Sequence, residues 1–188
     1  MAHALHDPVR HNAWATTQIL EFCRGLDEQT LNAAVPGTYG TIIATLRHII
    51  YCEIDFLERL LGREPTDPWQ LGETTGLDVL MEHAALLATD WEVFLASDVD
   101  SERALQPDEG TNTIPAGIVI AVVLYHGSEH RGQICTILGT LAHEPPELTR
   151  GAYAIASGGY GRSAWRIDLK APEARQATDA PYSQPSSL

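Results

Sequence analysis

Four long stretches of this chain carry apolar residues at helical spacing, and very little of the alternating pattern that a half-buried strand needs lies between them. Asp7-Pro8 offers an N-cap followed by a proline at the first helical position, and apolar residues then recur through Trp14, Ile19, Leu20 and Cys23 to a stop at Gly25. Residues 26–40, with Pro36-Gly37, read as a loop. Thr41 can cap a second helix, TIIATLRHIIYCEIDFLERLL, which Gly62 terminates. A long connection, REPTDPWQLGETT, precedes a third helix from Leu77 to Ala96 with apolar positions at Leu80, Ala84, Leu87, Trp91, Phe94 and Leu95. Residues 97–113 are polar, with room for a short strand or two. A fourth helix runs from near Pro115 to about Ala142, and Pro145-Pro146 enforces its end. The pattern predicts an all-α, antiparallel four-helix bundle over residues 1–157, in which the long second connection lets the second and third helices run parallel. The Gly-, Ser- and Pro-rich tail, 158–188, has too little apolar surface to offset chain entropy and is expected to be mobile or docked only locally.

A chain of 188 residues suits one compact domain with a core that needs no staples. Its net charge of −13 repels phosphate backbones and excludes nucleic acid and anionic membrane surfaces as partners. Cys23, Cys52 and Cys135 lie far apart and read as free thiols of a reducing compartment. The N-terminus lacks the apolar run of a secretory signal. The longest apolar stretch, Ile114 to Tyr125, is broken by Pro115 and Gly117 and falls short of the roughly 20 residues of a membrane span. A cytoplasmic protein is expected. The unusual quantity is histidine: 8 residues against 12 Lys+Arg.

On the fourth helix His126 and His130 stand one turn apart, separated by about 40° around the axis, a spacing that lets two imidazoles grip one cation. Gln133 falls between them in angle, and Val119, Val122 and Ile137 continue the same face, which is therefore expected to point inward. Two histidines there need a partner or a metal. His48, on the second helix, could complete a site. Its stripe of Ala44, Tyr51, Cys52 and Asp55 is small and polar, while Leu46, Ile50 and Leu57 lie opposite; the stripe either faces solvent or lines a pocket between helices, and periodicity favours neither. His3 and His6 sit at the terminus, His11 and His83 suit the surface, and His143 suits the negative end of the fourth helix.

The segment YHGSEHRGQI, together with His48 in LRHII, resembles the DinB superfamily of metal-binding four-helix bundles, whose pattern is a second-helix His plus H-x-x-x-H-R-G-Q. The opening HNAWATTQIL is similar to the N-x-W segment with which many members begin. This resemblance, over residues 8–157, implies an up-down-down-up course and His48, His126 and His130 as ligands of one divalent metal. Zinc or nickel would be the leading occupant, with iron or manganese as further choices. It sets Asn12 and Trp14 beside the pocket, with Tyr51, Cys52, Asp55 and Gln133. Members include bacillithiol S-transferases and mycothiol-dependent maleylpyruvate isomerases. The implied activity is thus a metal-dependent transfer or isomerisation of a small-molecule substrate, with a low-molecular-weight thiol as cosubstrate. A homodimer is also implied.

Other readings of the same residues remain. His126-Gly-Ser-Glu129-His130 fits H-x-x-E-H, in which Glu129 would be the general base of a metallopeptidase. The acidic third ligand of such enzymes has no counterpart here outside a loop and the tail, so Glu129 reads better as a carboxylate assisting proton transfer, or as plain surface charge. A non-catalytic bundle that holds a metal or a small ligand is the alternative to an enzyme. Neither a phosphate-binding glycine loop nor a G-x-S-x-G elbow is present.

Overall fold

A computed structural model describes residues 4–64, 72, 75–106 and 112–159. The elements are α1 (His6–Cys23), α2 (Glu28–Leu31), α3 (Ile42–Leu61), α4 (Leu77–Ala96), β1 (Ala104–Leu105), β2 (Ile114–Pro115), α5 (Ala116–Thr140) and α6 (Arg150–Ala156). The tail beyond Gly159 lies outside the described residues.

Local chemistry explains most boundaries. Thr41 accepts a hydrogen bond from the Ala44 N–H at the start of α3, and Gly62 closes that helix with φ of 68°, a left-handed conformation that costs glycine little. The start of α1 departs from expectation. The helix begins at His6 with Leu5 at the N-cap, and Asp7 lies inside the first turn, where its charge meets the positive helix end. The loop expected from Leu26 to Gly40 contains the single turn α2, nucleated by Asp27 accepting from the Thr30 N–H. Residues Ala104–Leu105 pair antiparallel with Ile114–Pro115, giving the polar connection its short strands. His143 lies past the end of α5 rather than in its last turn; its N–H bonds to the Leu138 carbonyl. The pattern gave no sign of α6, which Thr149 caps.

Pairs of residues fix the course of the bundle. Arg10 pairs with Glu92 and Arg24 with Asp78, so α1 and α4 run antiparallel. Arg47, early in α3, bonds the carbonyl of Thr75 just before α4, and Arg63 past the end of α3 pairs with Asp90 late in α4, so these two are parallel. His48 meets His126 while Arg103, leading into α5, bonds Leu60 at the end of α3; α3 and α5 are antiparallel. The result is the up-down-down-up bundle. Its core is built from Ile19, Leu20, Leu46, Ile50, Leu57, Leu80, Trp91, Ile134 and Ile137, all nearly inaccessible to solvent. Burial on this scale supplies the main stabilising term, at roughly 25 cal/mol per Å² of apolar surface. Among the described residues no helix is long and apolar enough to cross a membrane.

Candidate metal centre

The inward line of α5 runs through Val119, Val123, Gly127, His130, Ile134 and Ile137, at helical spacing, and every one of these is buried. Val122, expected on that line, is 40% exposed; it sits about 100° from Val123 and outside the packed arc. His126 is one residue before Gly127 and therefore stands at the margin of the arc, half-buried. On α3 the apolar side packs into the core and leaves His48 half-buried at the α3–α5 seam. The seam brings the three imidazoles together.

One ring nitrogen each from His48, His126 and His130 lies within 4.8 Å of the others. Nε2 of His48 and Nε2 of His126 are 2.9 Å apart, and the three ring centroids are separated by 4.7, 4.7 and 4.4 Å. Gln133 orients His130. Its side-chain oxygen accepts from the Tyr39 backbone N–H at 2.8 Å, a group that can only donate, and the same oxygen lies 3.2 Å from His130 Nδ1. His130 must then carry its proton on Nδ1, which leaves Nε2 as a lone-pair donor, the arrangement usual for a metal-binding histidine.

Electrostatics favours the same state. Burial, and next the neighbouring His130, push His126 down to about 4 from the ordinary 6.5; burial followed by His130 also lowers His48. Neutral imidazole is the ligating form, so this chemistry fits a cation.

The other expected pocket residues divide. Cys52 lies one turn from His48, its sulfur 3.6 Å from Nδ1, with burial raising its thiol to about 11. Tyr51 is buried and donates its hydroxyl to the Gly72 carbonyl, so it ties α3 to the segment before α4. Asp55 is held by Arg59 one turn on and is therefore engaged away from the His48 ring. Trp14 corrects the expectation outright. It stacks on His11, meets Tyr153 at a tilt, and lines a separate cleft of about 280 Å³ between α1 and α4, because its position on α1 faces α6 and α4 rather than α3. Asn12 lies buried behind the histidines, bonded to Glu53 and Arg131. Glu129 is exposed and is not one of the clustered groups. His11, expected at the surface, is partly buried and bonds the Leu148 carbonyl at 2.9 Å. His83 is partly buried on α4, and His3 lies outside the described residues.

Three residues near the centre were missed. Tyr39 stacks on His48, with ring centroids 4.0 Å apart and planes inclined by 14°. Nothing in a loop sequence announces such a contact. Glu53 and Arg131 are both buried and are joined through Asn12; a signal existed, since Glu53 falls at helical spacing from Ile49, Ile50, Leu57 and Leu60, all of them core residues.

An up-down-down-up bundle that brings three imidazoles to one point between two antiparallel helices could hold a metal ion. The chain belongs to the DinB family, whose description matches it over residues 1–163. No curated protein matches it.

Proposed function

We propose that this protein is a divalent-metal-dependent enzyme, with His48, His126 and His130 as ligands and a low-molecular-weight thiol as cosubstrate, acting as an S-transferase or isomerase on a small molecule. Zinc or nickel is the proposed occupant, ahead of iron or manganese. The observation that carries this reading is the cluster itself: three ligand atoms within 4.8 Å, with two of the three side chains half-exposed, and no fourth histidine, cysteine or carboxylate among the described residues that form it. Three protein ligands leave a position for an exogenous group, whereas a structural site is closed by four.

A cation held by His48, His126 and His130 would supply Lewis acidity that makes a thiol more acidic. The chain's own residues provide the rest. Gln133 fixes the tautomer of His130, and burial keeps His48 and His126 unprotonated at neutral pH. The half-exposed side of the cluster gives the released proton a path to water. We place the protein in the cytoplasm, as a homodimer, on the strength of its free thiols and of the family resemblance.

Elemental analysis of untagged protein is expected to find about one divalent metal per chain, and joint substitution of His48, His126 and His130 by alanine should abolish it. Full stoichiometry in the triple variant would refute the ligand set. Metal-loaded protein is then incubated with bacillithiol or mycothiol and monochlorobimane. Acceleration over the metal-free control supports thiol transfer; bound metal without acceleration of any electrophile favours a non-catalytic binding bundle.

A further inference from the structure

Tyr39 belongs to no helix, yet its turn is fixed by several hydrogen bonds. The turn that carries it is closed by the Ile42 N–H bonding to the Ala33 carbonyl, and Thr38 Oγ1 donates to the Val35 carbonyl at 2.8 Å. Gly37, with φ of 90°, supplies the left-handed bend that a side chain would resist. From the far side Gln133 accepts the Tyr39 N–H while it orients His130. Backbone and ligand set are thus tied through one amide.

The ring makes two contacts with the imidazoles. One face lies on His48 at 4.0 Å, and the ring meets His130 edge to face with centroids 5.3 Å apart. Even so, Tyr39 remains 51% exposed. A large aromatic group half in solvent therefore touches two of the three proposed ligands. Aromatic rings favour other flat rings in offset or edge-on contact beyond what area burial alone provides.

We propose that Tyr39 is a specificity-determining residue of this site, forming a wall of the open coordination face and selecting ligands that carry an aromatic or conjugated group next to the metal-binding atom. The inference rests on the metal-centre reading of the three histidines and extends it to the class of molecule admitted. Its contribution is to selection, since the imidazoles that hold the cation are positioned by α3 and α5.

The test uses the full chain loaded with cobalt(II), whose visible spectrum reports ligation. Benzyl mercaptan and mercaptoethanol, thiols of similar acidity, are titrated while the thiolate-to-cobalt charge-transfer band is followed. The native protein should favour the aromatic thiol by roughly three- to tenfold, the range expected for one aromatic pair. Tyr39→Phe should keep that preference, and Tyr39→Ala and Tyr39→Leu should lose it, with cobalt affinity held within about twofold in all of them. An unchanged preference in Tyr39→Ala, or an equal one in Tyr39→Leu, overturns the proposal. Failure of the native protein to bind cobalt sinks the metal-centre reading and this inference with it. Cobalt bound without a charge-transfer band for either thiol sinks only the thiol reading, and the same variants are then compared with imidazole against phenylimidazole, where loss of a native preference for the aryl ligand in Tyr39→Ala supports the role of Tyr39 and its persistence overturns it.

Discussion

Arg131 donates from one guanidinium nitrogen to the side-chain oxygen of Asn12 at 2.9 Å, directly behind the turn of α5 that carries His126 and His130. The same nitrogen reaches Thr16 at 2.8 Å, while Asn12 passes its own amide hydrogen to Glu53 at 3.1 Å. Glu53 also accepts from the Trp91 indole at 2.6 Å. Four helices therefore meet in one buried polar cluster. Burial pushes the Glu53 carboxyl up, opposed by Trp91, by the charge of Arg131 and by Asn12; burial likewise lowers Arg131 to about 10. No buried side-chain polar atom among the described residues lacks a partner.

Removing either side chain leaves buried hydrogen-bonding groups of Asn12, Thr16 or Trp91 without their partner. Arg131→Met or Glu53→Leu is expected to destabilise the fold by about 1–3 kcal/mol, and the double variant by clearly less than the sum. Urea unfolding of the single and double variants measures this. Simple additivity would show that the two side chains act independently.

Gly127, between the two α5 histidines, leaves room for that cluster. A Cβ there would stand 2.6 Å from the Asn12 oxygen and 2.8 Å from an Arg131 nitrogen. On a free helix Gly→Ala gains about 1 kcal/mol, but the overlap here forces apart a satisfied buried network, at a cost of about 1–3 kcal/mol. Gly127→Ala is therefore expected to lower the thermal midpoint. A rise would mean that Asn12 and Arg131 yield freely.

Stability of the metal-free chain should fall as pH drops from 6.5 toward 4. In that window the unfolded state takes up a proton at His126 that the folded state refuses down to about 4, so the unfolded state binds more protons and gains; His48 acts in the same direction. His126→Asn should flatten this part of the profile. Urea midpoints across the range decide it, and identical profiles for the native and variant proteins would remove His126 as the cause.

The cysteines are expected to resist thiol–disulfide exchange while the fold is intact. Burial raises Cys23 to about 12 and Cys52 to about 11, and it raises Cys135 as well, so little thiolate is present at neutral pH. Reaction with a chromogenic disulfide should be slow in buffer and rapid in denaturant. Fast labelling of Cys52 in the native state would contradict the raised thiol.

Helix positions were legible because each is decided locally. Thr41 and Gly62 bracket α3, and the spacing of Leu80, Ala84, Leu87 and Trp91 names the buried face of α4. The first cap was misread because Asp7-Pro8 also suits the interior of a first turn, which needs no proline N–H. The turn α2 and the helix α6 escaped because four or seven residues carry too little periodicity to register.

Sequence by itself determined that this chain forms four long amphipathic helices and that His126 and His130 share one side of the last, since the helical repeat alone sets both. Whether the stripe of His48 faced water or a pocket depended on which helix packed beside it. The antiparallel pairing of α3 with α5 settled that, and it brought Gln133 and the turn of Tyr39 to the same imidazoles. It also turned Trp14 toward another cleft and buried Glu53 and Arg131. Contacts between residues 78 and 94 positions apart carry no local signature, so only the packed bundle could assign them.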